Sequence, residues 1–361
     1  MIEENKKIRV LIVDDSFFMR KLLIEILSSS NEIEVIGSAK NGLEAISEAK
    51  RLKPDVITMD YQMPNMNGAQ ATEEILKDSE SFPAVIMLSA FTKEEAEETF
   101  ESLRAGAVDF IVKPSGELSL DINKLKDKII ARIKMAAMAH VKKRKVLDEI
   151  VQKSFIKGKK RDDDIEESSV KIVVIGASTG GPPVIEDIII TFSQNFSAPI
   201  LIVQHMPEHF TKSFAERLNK VSKIPVKEAE EGDLVRAGQI FIAPGGFHMK
   251  VQKRDDNKLE KFIHLTKEPA IHGLRPSIDV LMNSVAHNYV NQIIGVILTG
   301  MGSDGMEGMR AIKTVYGHTI VQAPETAVID SMPRAVIDSG LADYILPPEE
   351  IMKKIVELSR L

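Results

Sequence analysis

The sequence contains no cysteine, which excludes disulfides, thiolate metal sites and a cysteine nucleophile and accords with a reducing compartment. Any covalent chemistry must use another side chain. No run of about 18 apolar residues is present that would span a bilayer. The start, Met1-Ile2-Glu3-Glu4-Asn5-Lys6-Lys7, lacks the long apolar core of a signal peptide, so a soluble cytoplasmic protein without membrane insertion is expected. A field of one sign is also missing. With 47 basic and 53 acidic side chains the formal net charge is −6, and nothing chain-wide would hold nucleic acid. What is present is length: 361 residues, at roughly 100–200 per domain, predict two or three domains with full-sized cores.

Isoleucine and valine cluster in short runs at 9–13, 55–58, 84–88 and 109–112, separated by helix-length amphipathic segments. This βα alternation predicts an open parallel sheet over about the first 115 residues. A second series begins near Val170, with strands predicted at 171–176, 200–204, 292–298 and 319–322 and a hairpin pairing 249–253 with 261–266 around Asp255-Asp256-Asn257. That makes a second, mixed-sheet α/β domain. Between the two, residues 121 to about 155 have a helical composition. Residues 141–169 then hold 9 basic and 7 acidic side chains among 29, which reads as a solvated linker. The rival reading, a basic anchor for nucleic acid, is opposed by the acidic block that directly follows. No internal repeat is visible beyond the shared βα style.

In the first series Asp14-Asp15, Asp60 and Lys113-Pro114 all fall where a strand ends. In a parallel sheet such ends meet at one edge, where ligands bind. Any one charge there could simply end a strand at the surface; together they form an acidic pocket with one ammonium. Clustered carboxylates favour a hard cation such as Mg²⁺, and a phosphoryl group could then move onto the Asp60 carboxylate with Lys113 neutralising its oxygens. Ser89 could hydrogen-bond the new phosphate.

At these residues, across about 7–117, the segment resembles the receiver domain of two-component response regulators. Asp14-Asp15, Asp60 in Met59-Asp60-Tyr61-Gln62-Met63-Pro64, Gly68, Ser89-Ala90 and Lys113-Pro114 fall in that family's order and spacing. The resemblance implies a flavodoxin-like fold, phosphorylation of Asp60 by a histidine kinase, Mg²⁺ held by Asp15, Asp60 and the Gln62 backbone carbonyl beside Asp14, and Phe110 as the switch aromatic. Gln62 stands where relatives often carry Asn or Glu, a departure that bears on phosphate lifetime.

The second series opens on Gly176-Ala177-Ser178-Thr179-Gly180-Gly181-Pro182-Pro183. A P-loop fails because Pro182 occupies the position of its lysine. The dinucleotide fingerprint fails because Ser178 replaces its second glycine. What remains is Gly-x-Ser-x-Gly, a serine on a tight strand-to-helix turn whose N–H groups can stabilise an oxyanion; a plain helix cap competes with that reading. His205 follows the next strand, and Asp304 lies in Gly300-Met301-Gly302-Ser303-Asp304-Gly305 after a later one. A serine needs a base, and a histidine base needs a carboxylate to orient it. His205 and His209 as metal ligands are opposed by Pro207 and the lack of a third ligand. His140, His248, His264, His272, His287 and His318 belong to no such constellation. Arg275 could orient a carboxylate or carbonyl, or make an ion pair at a helix start.

At 176–181, 204–207, 243–249, 275–277 and 298–305 this region resembles the chemotaxis protein-glutamate methylesterases, and joined to an amino-terminal receiver it is similar to the CheB-type response regulators. The resemblance implies Ser178 as nucleophile, His205 as base, Asp304 as its orienter, Thr179 and Met301 near the oxyanion, no cofactor for the hydrolase, and glutamate γ-methyl esters of methyl-accepting chemotaxis receptors as substrate, with receptor glutamines also deamidated in some relatives. The Ser, His, Asp order differs from the Ser, Asp, His of ordinary α/β-hydrolases. Pro324-Glu325-Thr326-Ala327-Val328-Ile329 departs from the Asp-Glu and small residues usual in relatives. The expected organisation is a receiver at 1–120, a helix and charged linker at 121–169, and a catalytic domain at 170–361. A non-enzymatic, phosphorylation-gated binding module is the alternative. A DNA-binding regulator is disfavoured by the absence of a basic recognition helix.

Overall fold

The computed structural model describes residues 7–78, 83–89, 93–113, 122–139, 172–253 and 260–359. The charged joint at 141–169, Ala90, Pro114, His140 and the turn at Asp255-Asp256-Asn257 lie outside the described residues.

The first series forms a five-stranded sheet of β1 (Ile8–Val13), β2 (Ile33–Ala39), β3 (Val56–Asp60), β4 (Ala84–Ser89) and β5 (Asp109–Val112) in the order β2-β1-β3-β4-β5. Every pairing is parallel. Alternate side chains leave opposite faces, so each strand feeds two cores. Val10, Ile12, Ile86 and Ile111 pack under α1 (Phe17–Ser28) and α5 (Ile122–Ala137). Leu11, Val13, Ile57, Met59 and Met87 pack under α2 (Gly42–Leu52), α3 (Gly68–Asp78) and α4 (Lys93–Arg104). The sequence reading groups residues 122–137 with the linker, yet Ile129, Ile133 and Ala136 share a core with β1 and β4.

The second series forms a seven-stranded sheet, β14-β13-β12-β6-β7-β9-β8, from β6 (Ile172–Ala177), β7 (Ile200–Gln204), β8 (Val226–Glu228), β9 (Ile240–Ile242), β12 (Ile293–Ile297), β13 (His318–Gln322) and β14 (Tyr344–Leu346). The strands run parallel. Among the described strands the antiparallel pair is the hairpin β10 (His248–Lys253) with β11 (Lys261–Thr266), which forms a separate two-stranded sheet. One face is covered by α6 (Gly181–Ile189), α7 (Phe210–Val221) and α11 (Pro348–Leu358), the other by α8 (Ile278–Asn288), α9 (Met306–Thr314), α10 (Ser331–Asp338) and the hairpin. Chain order reverses between β6 and β12, the place where parallel sheets open a crevice.

The two sheets share an interface. Phe110 of β5 stacks on Phe210 of α7 with ring centroids 4.4 Å apart, and Phe100 of α4 on Phe214 at 5.3 Å. At its border Arg104 pairs with Glu186 at 3.1 Å and Asp187 at 3.4 Å, and Lys220 with Glu97 at 2.9 Å.

Candidate functional site

At the carboxyl edge of the first sheet Asp14, Asp15 and Asp60 offer oxygens within 4.8 Å of one another. Asp14 and Asp60 are buried, whereas Asp15 is exposed. Lys113, one residue past β5, places Nζ 2.7 Å from Asp60 and 3.2 Å from Asp14. Burial raises the Asp60 carboxyl to about 6, against the pull of the Lys113 charge. The donor set is all oxygen, convergent and short of counter-charge, which fits a hard divalent cation. Ser89 ends the neighbouring strand and accepts a hydrogen bond from Thr99 Oγ1 at 2.8 Å. Gln62 is exposed, its amide reaching Glu98 at 3.3 Å. Phe110 is buried in the stack on Phe210.

At the switch point of the second sheet β6 leads into Ser178, which is 8% exposed. The cap of α6 is Gly180, with Pro182 and Pro183 in the first turn and no side-chain cap, so Ser178 is not spent on capping. Gly180 needs its φ of +75°, and a Cβ there would stand 2.6 Å from Val328. Glycine alone gives that turn without strain. The Ser178 carbonyl accepts from Gly181 N at 2.8 Å and Gln204 Nε2 at 2.8 Å. His205, just past β7, sits beside it because its backbone N–H donates to Ala177 O at 3.1 Å.

His205 Nε2 lies 2.8 Å from Asp304 Oδ2, and Nδ1 is buried with no hydrogen-bond partner among the described residues. Asp304 accepts three further bonds from the start of α8: Ser277 Oγ at 2.8 Å, Ile278 N at 2.7 Å and Asp279 N at 3.0 Å. Burial alone would raise its carboxyl, but the His205 bond and these N–H groups hold it down at about 2. Asp279 in turn accepts from Gly305 N at 2.9 Å and Gly308 N at 2.7 Å, fixing the loop that carries Asp304.

Thr179 is buried and its hydroxyl donates to Asp109 Oδ2 at 2.8 Å. Gly180 N donates to the Val108 carbonyl at 3.1 Å. Met301 is 37% exposed. Among the described residues neither the Thr179 nor the Met301 backbone N–H has an acceptor. Arg275 makes no helix-start ion pair; its guanidinium donates to the Lys267 and Glu268 carbonyls at 3.1 Å each. The sequence reading gave no role to the bracing residues Ser277, Asp279, Gln204 and Asp109, although Gln204 and Ser277 fall within the resembling spans 204–207 and 275–277. Ser277 also carries a local signal, as a candidate cap ahead of a periodic apolar segment.

A receiver-type acidic pocket joined to a parallel sheet bearing a serine, a histidine and a carboxylate at its switch point defines a two-domain response regulator with a hydrolase-like output. Residues 173–355 match the model of the CheB methylesterase family and residues 10–130 that of the response regulator receiver domain. The chain belongs to the CheB methylesterase family. It is 45% identical over 353 residues to the protein-glutamate methylesterase/protein-glutamine glutaminase of Pyrococcus abyssi, covering 97% of this chain and 93% of that one. It is 44% identical to the protein of the same name from Thermotoga maritima, covering 98% and 99%. The crystal structure of the Thermotoga maritima CheB methylesterase catalytic domain matches with a TM-score of 0.51 at 45% identity, over 53% of this chain and 99% of that one.

Proposed function

We propose that this protein is a phosphorylation-activated serine hydrolase that removes methyl groups from glutamate γ-methyl esters of chemoreceptors, releasing methanol, and that deamidates receptor glutamines by the same route. The carrying observation is the buried His205–Asp304 contact one strand from the Ser178 turn, at the switch point. In this reading Asp304 fixes the proton on Nε2, which leaves the Nδ1 lone pair of His205 as base. Nδ1 takes the Ser178 hydroxyl proton as Oγ attacks the ester carbonyl carbon. The Thr179 and Met301 N–H groups stabilise the oxyanion. The imidazolium returns the proton to the departing methoxide, and water then cleaves the acyl-enzyme by the same base to give glutamate. An amide passes through the same intermediate and releases ammonia.

In the receiver, a chemotaxis histidine kinase or a small phosphodonor phosphorylates Asp60. Asp15, Asp60 and the Gln62 carbonyl beside Asp14 would hold Mg²⁺, which would supply neutralising charge for the phosphoryl oxygens, while Ser89 and Lys113 bind the product. The hydrolase itself uses no cofactor. The receiver comprises residues 1–120, and the packing of Ile129, Ile133 and Ala136 on its sheet favours adding α5 to it. The charged joint and a catalytic domain at 170–361 follow. Among the described residues no helix is long and apolar enough to cross a membrane; the cytoplasm is the location that a kinase phosphodonor and receptor helices as substrate call for in this reading.

The test is methanol release from methyl-labelled receptor membranes. Wild type should release it and Ser178→Ala should not. Release by the alanine variant at the wild-type rate would overturn the reading, and no release by either would favour a binding module.

A further inference from the structure

His248 is fully buried at the start of β10, and nothing in the proposed reaction uses it. Both ring nitrogens are engaged. The Ser277 backbone N–H donates to Nδ1 at 3.2 Å, and Nε2 lies 3.2 Å from the Pro269 carbonyl oxygen. An amide N–H only donates, so Nδ1 must offer a lone pair; a carbonyl only accepts, so Nε2 must carry the proton. The surroundings therefore fix the ring as the neutral Nε2–H tautomer. A second proton on Nδ1 would set N–H against N–H in a site shut off from water.

The residue that His248 grips is the cap of α8. Ser277 and the two residues after it deliver three of the four donors that Asp304 accepts, and the fourth donor is His205 itself. An unbroken hydrogen-bonded series thus runs from the Pro269 carbonyl through His248, Ser277 and Asp304 to His205. A carboxylate can hold an imidazole in one orientation only if it is itself held, and here that hold comes through the start of α8. We propose that His248 is a positioning residue for the reaction, fixing the first turn of α8 on Asp304 and so aiming Nδ1 of His205 at Ser178. The proposal rests on the reading of Ser178, His205 and Asp304 as the reacting set.

His248→Phe keeps the bulk and removes both bonds. In His248→Asn the amide oxygen falls near the Nδ1 position and keeps the bond from Ser277. The phenylalanine variant should lose about 10–100-fold in kcat on a soluble ester, the scale of one or two lost hydrogen bonds, with KM within about threefold. The asparagine variant should regain most of that loss. In an Asp304→Ala background, where the histidine no longer has a carboxylate to lean on, the same phenylalanine change should cost less than about twofold. Long-range proton–nitrogen spectra of wild type at neutral pH should show His248 protonated at Nε2 alone, a readout that does not depend on any variant folding. Wild-type kcat in His248→Phe, an equal loss in both backgrounds, or a ring protonated at Nδ1 would each overturn the proposal. Where Ser178→Ala is inactive and one of these results appears, only the role of His248 falls; where Ser178→Ala is active, the reaction itself is misassigned.

Discussion

The Thr179 hydroxyl donates to Asp109 Oδ2 at 2.8 Å, tying the residue after Ser178 to the first residue of the receiver's edge strand. The same Asp109 oxygen pairs with Arg132 of α5, while Oδ1 accepts from the Phe110 backbone at 2.9 Å. Next to it the Val108 carbonyl takes the Gly180 N–H. The receiver thus occupies two donors of the turn that, in the proposed reaction, must adapt to a tetrahedral intermediate.

Asp109→Ala should therefore raise the basal rate of the unphosphorylated protein. A hydrogen bond to a charged group contributes roughly 1.5–3 kcal/mol. The Phe110–Phe210 stack and the Arg104 ion pairs stay in place, so we expect an increase of about 3–10-fold and a smaller further gain on phosphorylation. Methanol release with and without a phosphodonor measures both; a basal rate at or below wild type removes Asp109 from the control of the turn.

The acid limb of kcat/KM on a soluble ester should carry more than one ionisation, because burial raises Asp279, whose carboxylate accepts the Gly305 and Gly308 N–H groups, to about 6. Asp304 is held down at about 2, so its carboxylate survives across any practical assay range. The depressed carboxyl also contributes to stability in full above its unfolded value of about 3.9, a contribution lost as pH falls toward 2. Activity flat from about pH 5 to 8 would exclude a neutral histidine base. Asp304→Asn should lower kcat by up to about 10⁴, since an amide no longer fixes the Nε2 proton.

Gly68→Ala should disturb the strand that carries the proposed phospho-acceptor, Asp60. A Cβ at 68 would stand 2.2 Å from the Asp60 carbonyl oxygen and 3.0 Å from its carbon. Backbone at the end of β3 must give way, at about 1–3 kcal/mol. A lower denaturant midpoint, with slower labelling of Asp60 by a phosphodonor, is the expected result; an unchanged midpoint would mean the helix start moves freely.

Strands buried on both faces are legible because Val/Ile runs lie next to Asp, Gly or Pro, and β1, β3 to β7, β12 and β13 lie at or within a residue or two of the expected spans. The half-buried β2, with Glu34 and Gly37 in it, and the three-residue strands β8, β9 and β14 carry too little periodicity to be seen. Ser178, His205 and Asp304 are legible because each follows a strand and parallel strands share an edge. Ser277, Asp109 and His248 are not, because their partners are 27, 70 and 29 residues away and only the folded chain brings such groups together.

Asp60→Asn should abolish the response to phosphodonor while leaving the resting rate near wild type. In the proposed phosphoryl transfer the Asp60 carboxylate is the nucleophile, and an amide at the same place keeps the size and the contact with Lys113 but cannot form the acyl phosphate. Phosphorylation attaches to one Asp60 oxygen a phosphoryl group of charge about −1.5 to −2. Lys113 lies 2.7 Å from Asp60, and its backbone N–H is bonded to Ser89 O at 2.7 Å. Lys113 follows β5 directly, and that strand carries Asp109 and Phe110, the residues that meet Thr179 and Phe210. New charge at Asp60 therefore acts on a strand whose other end touches the Ser178 turn. Coupling of this kind is typically about 1–3 kcal/mol, or roughly 5–150-fold in rate. Phe110→Ala should show the converse, a raised resting rate with a reduced response, because it removes the stack without touching the phosphate. Methanol release for the three proteins, with and without donor and Mg²⁺, decides: a responsive Asp60→Asn moves the phosphosite elsewhere, and a Phe110→Ala variant identical to wild type breaks the proposed path through β5.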